Sequence, residues 1–208
     1  MSVNHLNLEP SLLNVEPSAP SERDIFDALI REGGFDADTA GDDLPRLFAA
    51  WQAARSATPK MGMLISGAFG CGKSHFSRAV FPAHYAYNCG VREDVEKLRE
   101  FRFERLVESD GKTRGLRVIL DDAGADVPFS DYGVRVNPVA EFIMAFHDNA
   151  EKWVRRGIGE WRLTLTTNLD ADALSAHFGG RVVSRLNQLC VPVKMRGGSK
   201  RKPPRGTP

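Results

Sequence analysis

The chain has 208 residues, of which 42% are hydrophobic, and its formal net charge is +1. This length suits one α/β domain with some additional chain, and the near-neutral charge gives no overall nucleic-acid signature. No apolar run is long enough to span a bilayer, and the first residues lack a basic-then-apolar signal pattern, so we expect a cytoplasmic protein without membrane contact. The three cysteines have no metal-ligand spacing, which favours reduced thiols.

The charges are distributed unevenly along the chain. Residues 1–57 contain ten Asp or Glu against four Arg, whereas residues 194–208 contain six Lys or Arg and no acid. The acidic front is a poorer candidate for DNA contact than for a protein partner, and the basic tail either reaches phosphates or is a solvated, disordered terminus. We predict an N-terminal extension over 1–57, a core over 58–193 and a basic flexible tail over 194–208.

The extension has two helical patterns after a proline-containing lead. Residues 21–31 begin with a capping box at Ser21 and Asp24 and end before a glycine pair, which indicates a first helix. Residues 44–57 carry a second apolar stripe at helical spacing. We expect this pair to pack onto the core; the alternative is a separate appendage that binds a partner.

A phosphate-binding loop is the strongest local pattern. Residues 67–74 read Gly-Ala-Phe-Gly-Cys-Gly-Lys-Ser, a G-x-x-x-x-G-K-S motif, between an apolar strand pattern at 61–66 and a helical pattern from 75. Glycines let backbone N–H groups converge on phosphate oxygens, and the helix N-terminus adds positive partial charge. We expect Lys73 to reach the β- and γ-phosphates and the Ser74 hydroxyl to hold Mg²⁺. Nucleotide contacts are predicted for Gly67, Ala68, Phe69, Gly70, Cys71, Gly72, Lys73, Ser74 and His75, with Phe69 and Cys71 as filler between the glycines.

The rest of the core alternates strand and helix patterns, which predicts a parallel α/β sheet. Residues 101–107 are ambiguous: they either extend a charged helix, which we favour, or form a strand that turns back through Asp110-Gly111. We expect a loop over 123–137. The predicted strands are 83–89, 117–120, 162–167 and 190–193, and the predicted helices are 92–100, 138–156, 170–179 and 181–189.

Acidic and amide side chains follow two of these strands. Asp121 and Asp122 end the apolar strand Arg-Val-Ile-Leu, and Asn168 follows Thr166-Thr167 at the tip of the next one. ATP hydrolysis requires a bound metal ion, an oriented water and compensation of developing charge. We expect Asp121 to hold the Mg²⁺ shell, Asp122 to polarise the attacking water, and Asn168 to hydrogen-bond the water and the γ-phosphate; an Asn that merely begins a turn is the plainer alternative.

These motifs occur in the order found in one family. The phosphate loop, Arg-Val-Ile-Leu-Asp-Asp-Ala-Gly, a Tyr132-to-Pro138 segment, Leu-Thr-Thr-Asn-Leu and Phe178 to Leu186 resemble the AAA+ ATPases of the DnaC/IstB group, over roughly residues 59–191. The resemblance implies a P-loop fold with the phosphate-loop strand at the centre of the sheet, no C-terminal helical lid, and Asn168 as sensor. It also implies Arg185, or else Arg181, as an arginine finger for a neighbouring subunit, where a fixed guanidinium fork meets γ-phosphoryl charge.

The same resemblance implies an activity and partners. We expect an ATP- and Mg²⁺-dependent ATPase that forms a homo-oligomer with nucleotide at its subunit interfaces and acts on DNA, single-stranded by resemblance, to load a replicative helicase. The alternatives are a transposase-associated ATPase of the same fold and a nucleotide-dependent binding module with little hydrolysis. Many AAA+ proteins have Glu where this chain has Asp122, which is one methylene shorter, so turnover is expected to be slow and stimulated by assembly or DNA. A kinase is disfavoured because no arginine-rich lid pattern follows the last strand.

Overall fold

The computed structural model describes residues 19–37, 43–59, 61–103, 115–126, 129–131, 134–157 and 160–197. In these ranges the helices are α1 (Glu22–Glu32), α2 (Leu44–Ser56), α3 (Lys73–Val80), α4 (Arg92–Glu100), α5 (Pro138–Arg155), α6 (Ala171–Phe178) and α7 (Gly180–Leu189). The strands are β1 (Gly62–Gly67), β2 (Tyr85–Asn88), β3 (Leu116–Asp121), β4 (Phe129–Asp131), β5 (Val134–Val136), β6 (Trp161–Thr167) and β7 (Cys190–Met195). Described helices include none long and apolar enough to cross a membrane.

Five strands form one parallel sheet in the order β2-β3-β6-β1-β7. This confirms the predicted α/β fold with a parallel sheet and a phosphate loop. The middle strand is β6, so the expectation that the phosphate-loop strand stands at the centre is wrong by one position, although β1 is an interior strand. Because the strands are parallel, the carboxyl ends of β1, β3 and β6 lie at one edge of the sheet.

One face of the sheet is covered by α1, α2 and α3. Phe26 of α1, Trp51 of α2 and Phe76 of α3 are fully buried with Met63 and Ile65 of β1. The Phe26 ring centroid lies 5.2 Å from that of Trp51 and 6.2 Å from that of Phe76. The two N-terminal helices therefore share a core with the phosphate-loop strand. Of the two arrangements considered from the sequence, this is the one in which the helices pack onto the core.

The opposite face is covered by α4, α5, α6 and α7, and its core contains a cluster of aromatic rings. Phe101 and Phe103 join this cluster: their ring centroids are 4.9 Å apart, and both contact Phe142 of α5. The predicted continuation of α4 beyond residue 100 is wrong, because Phe101 takes an extended conformation. Residues i and i+2 share a face in extended chain but not in a helix, so extension lets both rings enter the cluster. Residues 104–114, including the alternative hairpin turn, lie outside the described residues.

The segment predicted as a loop over 123–137 contains two short strands. β4 pairs antiparallel with β5, with Ser130 opposite Arg135. The loop prediction is wrong here, because it rested on the glycine and proline content of the segment and not on the alternation in Val134-Arg135-Val136. At the other end, β7 continues through Lys194 and Met195, beyond the predicted last strand residue Val193.

Candidate functional site

The phosphate loop runs from the end of β1 to the start of α3 and has a backbone that only glycine adopts easily. Gly70 and Gly72 have φ of 75° and 98°, in the left-handed region, where a side chain would strain the chain. Cys71 between them is buried with the hydrophobic core beneath the loop. Its role as filler is therefore corrected: the thiol side chain anchors the loop to the core while the glycines turn the backbone.

Lys73 is held inside the loop by three acceptors. Its Nζ donates to the carbonyl oxygens of Gly67 and Ala68, at 3.0 and 2.9 Å, and to Oδ1 of Asn168, at 2.7 Å. An ammonium group has three donors, so these bonds use its whole capacity. The residue is only 4% exposed. A buried cation at a helix N-terminus creates a strongly anion-attracting point, and the contact with Asn168 joins it to the tip of β6.

Asp121 ends β3 as a buried carboxylate with two partners. Its Oδ1 accepts from the Thr166 hydroxyl at 2.6 Å, and its Oδ2 accepts from a guanidinium nitrogen of Arg78 at 3.1 Å. Thr166 lies on β6, the strand next to β3, and its hydroxyl also accepts from the backbone N–H of Asp122 at 3.0 Å. One threonine therefore fixes both consecutive acids against the neighbouring strand.

Asp122 is the one described non-glycine residue with positive φ, at 55°. Aspartate is among the few residue types that tolerate this conformation, which turns the chain immediately after β3. Its Oδ1 accepts from Nδ2 of Asn168 at 3.4 Å. The Asn168 amide thus touches Lys73 through its oxygen and Asp122 through its nitrogen, and it links a cation and an acid from two different strand ends.

These residues surround a cavity of about 270 Å³ at the carboxyl edge of the sheet. This volume is near the lower end for ligand pockets and fits the polyphosphate part of a nucleotide. The fit to a phosphate chain with Mg²⁺ is good: the loop provides N–H groups and a buried ammonium, and a serine hydroxyl and one nearby carboxylate suit an ion that keeps several waters. The cavity is lined by Phe69, Gly70, Gly72, Lys73, Ser74, His75, Asp122 and Asn168.

His75 and Phe69 lie at the rim of this cavity. His75 Nε2 lies 3.0 Å from the carbonyl oxygen of Gly33, and its ring centroid lies 5.7 Å from that of Phe35, so the turn after α1 packs beside the loop. Phe69 is 61% exposed, which makes it the most exposed large hydrophobic residue among those described.

Arg185 is not brought to the phosphate cavity of its own chain. It lies on α7, where Nη1 donates to Oε1 of Gln188 at 3.2 Å and lies 3.5 Å from Nε2 of His147 on α5. Arg181 is exposed one turn earlier on the same helix. Lys73, Ser74, Asp122 and Asn168 line the phosphate cavity together, whereas the buried Asp121 and the two arginines do not line it.

Four residues that contact this machinery did not stand out in the sequence. Thr166 and Arg78 bind Asp121, while His147 and Gln188 bind Arg185. Thr166 lies in the Thr-Thr-Asn motif, so that motif was a usable signal for it. The other three are common polar residues on helices, and only the packing of the helices reveals their partners.

Among the comparisons with known proteins, matches are found only with solved structures. No protein-family model matches the chain, and no curated protein matches it. Among solved structures, a DnaC helicase loader matches with 15% identity and a TM-score of 0.48, over 76% of this chain and 92% of the loader. NtrX from Brucella abortus, in complex with ADP, matches with 16% identity and a TM-score of 0.49, over 86% of this chain and 43% of NtrX. At these identities and TM-scores neither likeness assigns a function to this chain.

Proposed function

We propose that this chain is an AAA+ ATPase that hydrolyses ATP in a head-to-tail homo-oligomer and acts on DNA. The observation that carries the proposal is the Asn168 amide, which joins Lys73 of the phosphate loop to Asp122 beyond β3. A loop that only held phosphate would not require an acid and an amide at its γ-phosphate end. Their presence supports a site built for hydrolysis.

The loop residues bind and orient the substrate. Backbone N–H groups from Gly70 to Ser74 and the Lys73 ammonium are suited to the phosphates, and Ser74 with Asp121 is suited to Mg²⁺, which when bound neutralises charge on the β- and γ-phosphate oxygens. Because the three donors of Lys73 are already used, a γ-phosphate has to displace at least one acceptor. Release of Asn168 from Lys73 would make that amide a sensor of the phosphate.

Asp122 is the proposed acceptor of the proton of the attacking water. It lines the same cavity as Lys73, and the 3.4 Å contact with Asn168 orients its carboxylate. The left-handed backbone of Asp122 is tied to β6 through Thr166, so the carboxylate is presented by a fixed turn. Such a fixed base acts on a water that Asn168 also contacts.

Arg185 is the proposed positive charge from the next subunit. Developing charge on the γ-phosphoryl oxygens needs a further cation, and neither Arg185 nor Arg181 of the same chain lines the cavity. Action in trans accounts for this placement and couples hydrolysis to assembly. Arg185 is favoured over Arg181 because it occupies the Ser-Arg-Leu position of the motif series, and its side chain is already held by two contacts.

The role on DNA rests on the order of motifs in the sequence. The DnaC/IstB-like series favours loading of a replicative helicase onto single-stranded DNA, with the basic residues from 194 onward as one candidate phosphate contact. The protein partner and the DNA form are part of the proposal.

The test measures ATP turnover by the protein without DNA, with single-stranded DNA and with duplex DNA. Each series covers protein concentrations below and above those at which the subunits assemble. We expect Mg²⁺-dependent turnover that rises with protein concentration and rises further with single-stranded DNA. Stimulation by duplex alone would favour the transposase-associated alternative. Concentration-independent turnover would contradict the shared site, and absence of turnover in all conditions would contradict the ATPase.

A further inference from the structure

We infer that His147 and Gln188 are positioning residues that hold the Arg185 guanidinium in the geometry in which it reaches a neighbouring nucleotide. The inference rests on the proposed function of Arg185 and extends it to two residues outside the phosphate cavity. Arg185 and Gln188 lie three residues apart on α7, and His147 projects from α5 against them. Together these three side chains are called the arginine clamp below.

The hydrogen bonds of the clamp form a consistent set. His147 Nε2 lies 2.8 Å from Oε1 of Gln188, which also accepts from Nη1 of Arg185 at 3.2 Å. An amide oxygen has two lone pairs and accepts both bonds when the histidine carries its proton on Nε2. The 3.5 Å separation between Arg185 Nη1 and His147 Nε2 is then a packing contact between two donors that share one acceptor.

Burial makes His147 the rigid part of the clamp. The His147 side chain is only 7% exposed. Its Nδ1 lies 3.3 Å from Oδ1 of the exposed Asp148, a contact that is a hydrogen bond only when the ring carries a proton on both nitrogens. Gln188 is exposed on α7, and Arg185 is partly buried. The buried His147 ring therefore holds the exposed Gln188 amide, and that amide holds the Arg185 guanidinium. The flexible arginine side chain is thus ordered by its neighbours and not by its own burial.

His147 and Gln188 of the clamp border a cavity that Arg185 itself does not line. The cavity has a volume of about 330 Å³ and is lined by residues including His147, Gln188, Glu151, Arg155 and Trp161. Glu151 forms an ion pair with Arg155 one helical turn away, so this acid already has a cationic partner on its own helix. Arg185 is thus held by an uncharged amide acceptor, from which a negatively charged phosphoryl group can take it over.

Ordering an arginine in advance affects turnover more than nucleotide binding. A long flexible side chain loses rotamer freedom when it reaches a transition state, and contacts already present in the free protein reduce that loss. Removal of the clamp should therefore lower kcat of the assembly and leave the affinity for ATP unchanged, because Lys73 and the loop bind the nucleotide in the other subunit.

The test compares four variants of the full chain. Gln188→Ala removes the shared acceptor, and Asn187→Ala is the matched control at the adjacent exposed position of α7. His147→Phe keeps a buried ring without a donor, whereas His147→Gln keeps an N–H donor toward Gln188. We expect about a 5- to 10-fold loss of kcat in Gln188→Ala and His147→Phe, near-complete retention in His147→Gln and Asn187→Ala, and ATP affinities within about twofold of the parent.

Mixing with Lys73→Ala subunits separates positioning from general structural damage. A Lys73→Ala subunit has no working phosphate loop but keeps an intact clamp, so its arginine can serve the sound nucleotide site of a Gln188→Ala neighbour. We expect the turnover rate per intact nucleotide site to be higher in these mixtures than in Gln188→Ala alone. Absence of recovery, loss of ATP affinity in Gln188→Ala, parental kcat in that variant, or higher kcat from a released arginine would each overturn the inference.

The Arg185→Ala variant distinguishes this failure from failure of the proposed function. If Arg185→Ala is inactive and is rescued by Lys73→Ala subunits while Gln188→Ala is unchanged, the finger stands and the clamp is wrong. If Arg185→Ala keeps parental turnover, the finger assignment is wrong and the clamp has nothing to position.

Discussion

The phosphate cavity and the arginine clamp differ in how many of the groups needed for a site each one contains within a single chain. Lys73 in the cavity and Asp121 at the end of β3 are buried and have charged or polar partners from two or three elements of the same chain. The ends of β1, β3 and β6 lie at this edge of the sheet. The clamp has one cation, held by the Gln188 amide of α7, which in turn contacts His147 of α5. Under the proposed function, this difference means that nucleotide binding is completed within one subunit, whereas the catalytic arginine acts on the neighbouring subunit.

The largest expected effect is on the phosphate cavity, the site that is completed within one subunit. Lys73→Ala removes the ammonium that joins the loop to Asn168, so ATP binding should become undetectable and turnover should fall at least about 10³-fold. Isothermal calorimetry and a phosphate-release assay measure the two quantities. The variant's circular dichroism spectrum serves as the folding control, and parental turnover in a folded variant would contradict the whole assignment.

Asp122→Asn separates chemistry from binding inside the same cavity. The amide keeps the shape but cannot accept a proton, so kcat should fall about 10²- to 10⁴-fold while ATP affinity changes less than about threefold. Asp172→Asn, at an exposed acid on α6, is the control for loss of one negative charge. Parental turnover in Asp122→Asn would mean that another group activates the water.

Thr166→Val tests whether the contact between β6 and the two acids matters. Valine keeps the volume but leaves Oδ1 of Asp121 and the N–H of Asp122 without their hydroxyl partner, which should cost about 1 to 3 kcal/mol of unfolding free energy and about tenfold in kcat. Chemical denaturation and turnover measure both. Thr164→Val, two residues earlier on the same buried face of β6, gives the cost of the substitution itself; equal losses at the two positions would count against a special role for Thr166.

Arg78→Ala is expected to have the smallest effect. The Arg78 side chain is 58% exposed, so its ion pair with Asp121 contributes less than about 1 kcal/mol to stability. Removal of a cation beside Asp121 should lower the Mg²⁺ concentration needed for half-maximal turnover, because the carboxylate no longer shares its charge with Arg78. A magnesium titration checks this. A higher Mg²⁺ concentration for half-maximal turnover would instead show that Arg78 supports metal binding.

Sequence patterns predicted the parts of the site that depend on contiguous residues. The phosphate loop needs its glycines at fixed spacing along the chain, and Asp121, Asp122 and Asn168 follow directly from strands with clear apolar patterns. Capping at Ser21 was also local, and its side chain accepts the expected backbone bond from Asp24 in the structure. These features were predictable because the physical requirement lies within one short segment.

Features that depend on packing between distant segments were not predictable. The role of Thr166 requires that β6 lie next to β3, and the clamp requires that α5 pack against α7, neither of which periodicity specifies. Phe101 and Phe103 lie outside the predicted helix because their contacts in an aromatic cluster with Phe142 outweigh the local helix propensity. The order of the strands likewise placed β6, and not β1, at the middle of the sheet.

The most direct test of a site completed between subunits mixes two inactive variants. Lys73→Ala subunits lack a phosphate site but carry Arg185, and Arg185→Ala subunits have the site but lack the finger. We predict that each alone turns over ATP at less than about 1% of the parental rate and that an equimolar mixture recovers up to about a quarter of it, since about one interface in four pairs a sound site with a sound finger. No recovery at any ratio, with assembly of the mixture verified, would contradict the account.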